Sequence, residues 1–116
     1  MHRQFRLSPV VKITQGLPQY IYLTFTERVI PKQLSLTFQG GFVGTQCTIH
    51  IQPYGSPNWQ TLTHLYPEDV NRRQSFDLTT SGLDDGITSL KVVFENSSDF
   101  FGRITVYGLG LEGFIM

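Results

Sequence analysis

The side chains with the clearest capacity for chemistry in this 116-residue sequence are three histidines, one cysteine and two acidic doublets. His2, His50 and His64 lie far apart, and none belongs to a spaced metal pair of the H-E-x-x-H kind. His50 shares a face with Thr48 in an alternating segment, which makes it a solvent-facing histidine in preference to a ligand or base. Cys47 alternates with Ile49 and Ile51, the pattern of a small core hydrophobe and not of an activated nucleophile. No G-x-S-x-G elbow and no glycine-rich phosphate cradle is present. The acidic doublets, Glu68-Asp69 and Asp84-Asp85, both fall on turns; Asp84-Asp85-Gly86 suits a turn without any metal. The expectation is a protein without catalytic residues, cofactor or metal, and not an enzyme.

Bulk properties exclude further classes. Nine Lys/Arg balance nine Asp/Glu, and Arg72-Arg73 is the only basic pair, so the long-range attraction used by direct nucleic-acid binders is missing. No apolar run approaches the roughly 18 residues of a membrane span. A lone cysteine allows no internal disulfide, which favours a reducing compartment. Met1 to Arg6 lacks the apolar stretch of a signal peptide, so the sequon Asn96-Ser97-Ser98 reads as coincidence. The expected location is the nucleus, with the cytoplasm as the alternative. With 40% hydrophobic and 16% charged residues the chain can support one core, and one domain over residues 1–116 is expected.

Alternation dominates the chain. Ile21, Leu23 and Phe25 share a face, as do Leu34, Leu36 and Phe38, and then Cys47, Ile49 and Ile51. Weaker or shorter strands are expected over Trp59 to Leu65 and Gln74 to Leu78, with a buried run at Leu90 to Phe94. Arg103 to Leu111 sets Ile104, Val106 and Gly108 against Thr105, Tyr107 and Leu109, so it reads as buried on both sides. Breakers at Ile30-Pro31, Gly40-Gly41, Pro53 to Pro57, Tyr66-Pro67, Ser81-Gly82, Asp85-Gly86 and Asn96 to Ser98 divide seven strand candidates. Spacings near ten residues point to an all-β sandwich or barrel, and two antiparallel sheets are expected. Helix is confined to at most one turn at Pro67 to Val70. Trp59 reads either as a core ring at a strand start or as a loop-tip anchor, the core reading being preferred.

Two strings carry a resemblance at the level of fold. Gln19-Tyr20-Ile21-Tyr22-Leu23-Thr24-Phe25, followed by Ile30 and Leu34-Ser35-Leu36, is similar to the second and third strands of discoidin-like domains. Arg103 to Leu109 followed by Gly113 resembles their closing strand. The resemblance implies a jelly-roll β-sandwich of the galactose-binding-domain-like kind, which binds glycans, phospholipids or proteins through loops at one end. A closer likeness, over roughly residues 18 to 113, rests on Phe38-Gln39-Gly40-Gly41-Phe42, Tyr66-Pro67-Glu68-Asp69, and Leu90 to Glu95 running into Asp99-Phe100-Phe101-Gly102-Arg103. These segments resemble a family of small nuclear proteins that associate with an orphan nuclear receptor and repress it. That likeness implies a protein partner, a nuclear receptor, whose grip on DNA is disturbed by the contact.

The sequence departs from the discoidin-like pattern at its start. Those domains precede the Gln-aromatic strand with an acidic loop, a Thr and a Trp, where many hold calcium. Here no Asp or Glu precedes Glu27, and the only Trp is Trp59. Calcium takes roughly six to eight oxygen ligands, so tight calcium binding is not expected. His2-Arg3-Gln4-Phe5 reads as the remnant of an abbreviated opening strand.

Strand parity locates the candidate site. If seven strands alternate up and down, the loops near 39–46, 66–74 and 95–102 share one end, the usual place for binding on a rigid sandwich. Phe42, Tyr66, Glu68, Asp69, Asp99, Phe101 and Arg103 are the candidate partner-binding residues. Phe42 and Phe101 serve as apolar anchors, while Glu68, Asp69 and Arg103 set orientation. The structural alternative has Asp99 capping the turn and pairing with Arg103, with Phe100 or Phe101 plugging the end of the sandwich. A lectin-like module binding a glycan or small ligand at the same end is the second functional reading.

Overall fold

The structure, a computed structural model, describes residues 3–7, 12–14 and 17–116; His2 lies outside them. Eight strands follow in chain order: β1 (Arg3–Leu7), β2 (Lys12–Thr14), β3 (Gln19–Phe38), β4 (Gly44–Pro53), β5 (Gln60–Leu65), β6 (Arg73–Asp77), β7 (Ile87–Ser97) and β8 (Ile104–Ile115). Every pairing is antiparallel. One layer runs in the order β3 (first half), β7, β4, β5. The other places β8 between β1 and the second half of β3, with β6 at the far edge and β2 also on β8. The opening strand anticipated at Arg3-Gln4-Phe5 exists as β1, paired along the end of β8.

The principal difference from expectation is β3. The dipeptide Ile30-Pro31 reads as a breaker, yet hydrogen bonding runs on from Gln19 to Phe38. Over Gln19–Thr24 the strand pairs with β7; the register then slips, and Val29 is shared between Ile87 of β7 and Ile115 of β8. Beyond that point β3 belongs to the second layer. Pro31 sits beside a second register slip, between Pro31 and Gln33, where a missing N–H does least harm to a ladder. Two layers therefore form, as alternation predicts, but a single bent strand stitches them into one eight-stranded sheet.

A bulge settles the ambiguous last strand. Thr37 faces Gly108 and Phe38 faces Val106, so Tyr107 is the unpaired extra residue. The phase switches there, and Leu109 and Leu111 join Ile104 and Val106 in the core while Tyr107 faces solvent. Both faces are buried only at the start of the strand, over Ile104, Thr105 and Val106; beyond the bulge Leu109 and Leu111 continue a single buried face.

Most of the residues expected inside are buried, among them Ile21, Leu34, Leu36, Phe38, Ile49, Ile51, Val92, Phe94, Ile104 and Val106. Leu23 and Phe25 are only partly buried, because they lie where β3 leaves β7; Phe25 finds Phe5 edge-on at 6.2 Å instead. Phe38 and Phe94 meet edge-to-face across the layers, centroids 5.9 Å apart. Each fully buried Phe or Leu side chain contributes about 1.5–3 kcal/mol relative to exposure. Cys47 is buried among them, as its alternation predicts, and burial, with Glu95 nearby, pushes its thiol up to about 12.

Two further expectations are corrected. Residues 66–70 form no helical turn; Val70 N–H closes tightly onto the Glu68 carbonyl at 2.9 Å instead. Trp59 is not a core ring. It packs on the outer face of the first layer, 5.6 Å from Tyr22 with Lys91 Nζ 4.5 Å from its centroid, because it precedes β5 and folds over the sheet from outside.

Candidate functional site

The bend in β3 brings the loops together. Gln19 faces Phe94 near the end of β7, and Phe38 faces Val106 near the start of β8, so β3 starts and finishes at the same end of the sandwich. The parity argument survives for that reason: one strand folded back at its middle counts as two. Loops 39–43, 66–72 and 98–103 meet there through main-chain and side-chain bonds. Gly40 N–H donates to Asn71 Oδ1 at 2.9 Å and Gly41 N–H to Asp69 Oδ1 at 2.8 Å. Val43 N–H donates to Ser98 Oγ, and Ser98 N–H returns a bond to the Val43 carbonyl, each at 2.9 Å.

Loop 98–103 is organised by Asp99. Its Oδ2 accepts from Phe101 N–H at 3.1 Å, Arg103 N–H at 3.0 Å and Arg103 Nε at 2.9 Å, while Oδ1 accepts from Arg103 Nη2 at 2.9 Å. This fork is the bidentate geometry in which arginine and carboxylate bind best. The Asp99 side chain is only 10% exposed, and its bonds to Arg103 hold its carboxyl down to about 2. The same pairing raises the Arg103 guanidinium. Gly102 takes φ 76°, a left-handed turn position that disfavours other residues, and its N–H reaches the Asp99 carbonyl at 3.0 Å. The Arg103 guanidinium carbon lies 5.1 Å from the Phe42 ring centroid and 5.5 Å from that of Phe101, so one cation bridges two rings from two loops.

The structure thus unites Phe42, Asp99, Phe101 and Arg103 in one cluster. Asp69 joins it through Gly41, which makes it a tie between loops as well as a surface charge. Glu68 and Tyr66 lie on the adjoining loop. Glu68 pairs with Arg72 at 3.2 Å, both highly exposed, and Gln74 braces its backbone at N–H and carbonyl. Tyr66 is 68% exposed. Phe101 is 66% exposed and Phe100 94%, so neither ring plugs the end of the sandwich. Phe100, read from sequence only as a plug, is the exposed ring missing from the candidate partner-binding residues. Its signal was available: Asp at the first and Gly at the fourth position of a turn place the two residues between them at the tip.

The cluster has little capacity for small-ligand chemistry. Asp99 is filled by four hydrogen bonds, Arg103 commits its Nε and Nη2 to that carboxylate, and Asp69 accepts from main chain. Among the described residues no group of three His, Cys, Asp or Glu is placed to hold a metal. Asp84 and Asp85 sit on a turn closed by main-chain bonds from Leu83 to Thr80 and from Gly86 to Leu83. Away from the loops, the Thr48 hydroxyl donates to Glu95, so His64 Nδ1 at 3.1 Å must be the donor to Thr48. His50 Nδ1 lies 3.2 Å from Thr61 Oγ1 on the same outer face, the solvent side that its alternation predicts.

This arrangement, antiparallel layers with loops gathered at one end, is a discoidin-like, galactose-binding-like jelly roll. Solved structures share it: an F5/8 type C domain from Bacteroides fragilis superposes with a TM-score of 0.72 at 12% identity, over 93% of this chain and 76% of that one. The family 32 carbohydrate-binding module of C. perfringens NanJ, solved with galactose, gives 0.67 at 14% identity over 96% and 93%. No protein-family model matches the chain. Relatives with closer sequences all bear one name, nuclear receptor 2C2-associated protein. That of Danio rerio is 43% identical over 102 residues, 85% of this chain and 67% of the relative. Those of Xenopus laevis and Homo sapiens are 38% and 36% identical, over 69% and 68% of their lengths. The chain belongs to the nuclear receptor 2C2-associated protein family.

Proposed function

We propose that this chain is a non-catalytic interaction module of the nucleus that binds an orphan nuclear receptor and represses it, by covering surface the receptor needs to grip DNA. The relatives' shared name, which records association with nuclear receptor 2C2, supports the choice of partner. The observation that carries the docking end is the convergence of three loops, with the Arg103 guanidinium against the rings of Phe42 and Phe101 and Asp69 tying the third loop to Gly41. A rigid, partly apolar surface of this kind suits a protein partner. The glycan reading has less support, because a sugar needs convergent unpaired polar groups, and here Asp99, Arg103 and Asp69 bond to each other or to main chain.

The test is titration of purified nuclear receptor 2C2 with the intact chain, followed by competition against the receptor's DNA site. Binding that the Phe101→Ser variant weakens by about 10-fold or more, with loss of DNA occupancy, is the expected result. Absence of receptor binding, alongside saturable binding on a glycan array, would overturn the reading.

A further inference from the structure

We infer that Phe100, with Phe101 beside it, is an apolar plug that enters a cleft on the protein partner, and that burial of these rings, not charge, holds the contact. The inference rests on the proposed function and names the kind of surface the partner must offer. Phe100 is the most exposed large apolar side chain among the described residues, at 94%. Its ring stands perpendicular to that of Phe101, at 88° with centroids 5.2 Å apart, so the two present one edge-to-face unit. A flexible loop could fold such rings inward. This turn cannot, because Asp99 binds the backbone at Phe101 and Arg103 and the side chain of Arg103, while Ser97 Oγ is bonded to the Asp99 N–H and to the Arg103 carbonyl. The rings are therefore held outward before any partner arrives, which lowers the ordering cost of docking.

The cations around the rings are matched. Arg103 is paired with Asp99 and Arg72 with Glu68, so no unbalanced cation on these loops draws an anionic surface, and the single charge left over is Asp69, whose carboxylate accepts from the Gly41 N–H. The same matching argues against a lipid bilayer, since peripheral anchoring through a few apolar side chains needs basic residues left over for anionic headgroups. A protein cleft lined with apolar groups fits both observations.

The experiment measures binding of purified nuclear receptor 2C2 from about 0.05 M to about 0.5 M salt, for the wild-type chain, Phe100→Ser and the control Tyr107→Ser on the outer face of β8. The affinity should change by less than about 3-fold across that range, because exposed charge pairing is what salt screens. Phe100→Ser should weaken binding by about 10-fold or more, and Tyr107→Ser should leave it unchanged. Position 100 is open to solvent, so the variant keeps its fold, and an unaltered melting temperature verifies this. Receptor binding that is steeply salt-dependent, or indifferent to Phe100, overturns the inference while leaving the proposed function standing. No binding by the wild type at any salt overturns both. Binding to phosphatidylserine vesicles that is lost in Phe100→Ser, with no receptor contact, assigns the rings to a membrane and overturns the protein cleft.

Discussion

Asp99 shows how one side chain converts a string of residues into a shape. Its carboxylate is the hub of a five-residue turn, and its acidity follows: bonds from Arg103 first, then from the Arg103 and Phe101 N–H groups, lower its pKa from the ordinary 3.8 to about 2. A carboxylate with a depressed folded-state value stabilises the fold above its unfolded value and loses that contribution as pH falls through the folded one. The loop should therefore stay protected from amide exchange at pH 5 and loosen between about pH 4 and pH 2. Asp99→Asn keeps the shape but removes the charge, so protection of the Phe101 and Arg103 amides relative to an unfolded chain should be low already at pH 5 and vary little down to pH 2. Exchange monitored by NMR decides it; a wild-type pH profile shared by the variant would mean that Asp99 does not organise the turn. Asp69 and Glu68 differ in the same way. Adjacent in sequence and equal in charge, only Asp69 ties two loops together, so only its reversal should cost stability as well as surface charge.

At the scale of elements, the close approach of β3 and β8 decides which residues are tolerated. A Cβ built on Gly113 would stand 2.0 Å from the Ile30 carbonyl oxygen, at the point where β3 crosses between layers. Nothing lies within 4 Å of the equivalent position at Gly108 on the same strand. Gly113→Ala should destabilise the protein by about 1–3 kcal/mol, the usual cost of forcing backbone apart in a packed region. Gly108→Ala should be neutral or slightly stabilising through the unfolded chain. Urea midpoints at constant slope measure both; equal effects would mean that the β3 crossover has slack to absorb a methyl group.

Across the whole molecule, a strand shared by both layers implies that neither can open alone. Cys47 reports on this, since it lies in the core with its thiol pushed up to about 12 and no route to solvent short of unfolding. Labelling of the thiol should proceed at the rate of global unfolding. Phe94→Ala, which empties the ring that packs against Phe38, should cost about 3–5 kcal/mol and accelerate labelling in proportion. Rapid labelling of the wild type, unchanged by that variant, would reveal a local opening of β4 instead.

Local alternation was enough to determine most of the strand segments from Gln19 onward, most of the side chains that face inward, and that His50 faces outward and Cys47 inward, because a side-chain period of two is a property of the backbone itself; it gave no sign of the short β2 at Lys12–Thr14. The turn chemistry of glycine, proline and aspartate was equally local, and with parity it placed Phe42, Asp69, Asp99, Phe101 and Arg103 at one end. What the tertiary structure alone decided are matters of which strand lies beside which. Pro31 continues a strand because β7 and β8 meet there; Tyr107 bulges because β3 offers it no partner; Trp59 lies outside because Tyr22 and Lys91, far off in sequence, receive it. Phe100 points into solvent because the charges behind it close on themselves. Each depends on contacts between residues distant along the chain, and a pattern read from neighbours carries no term for them.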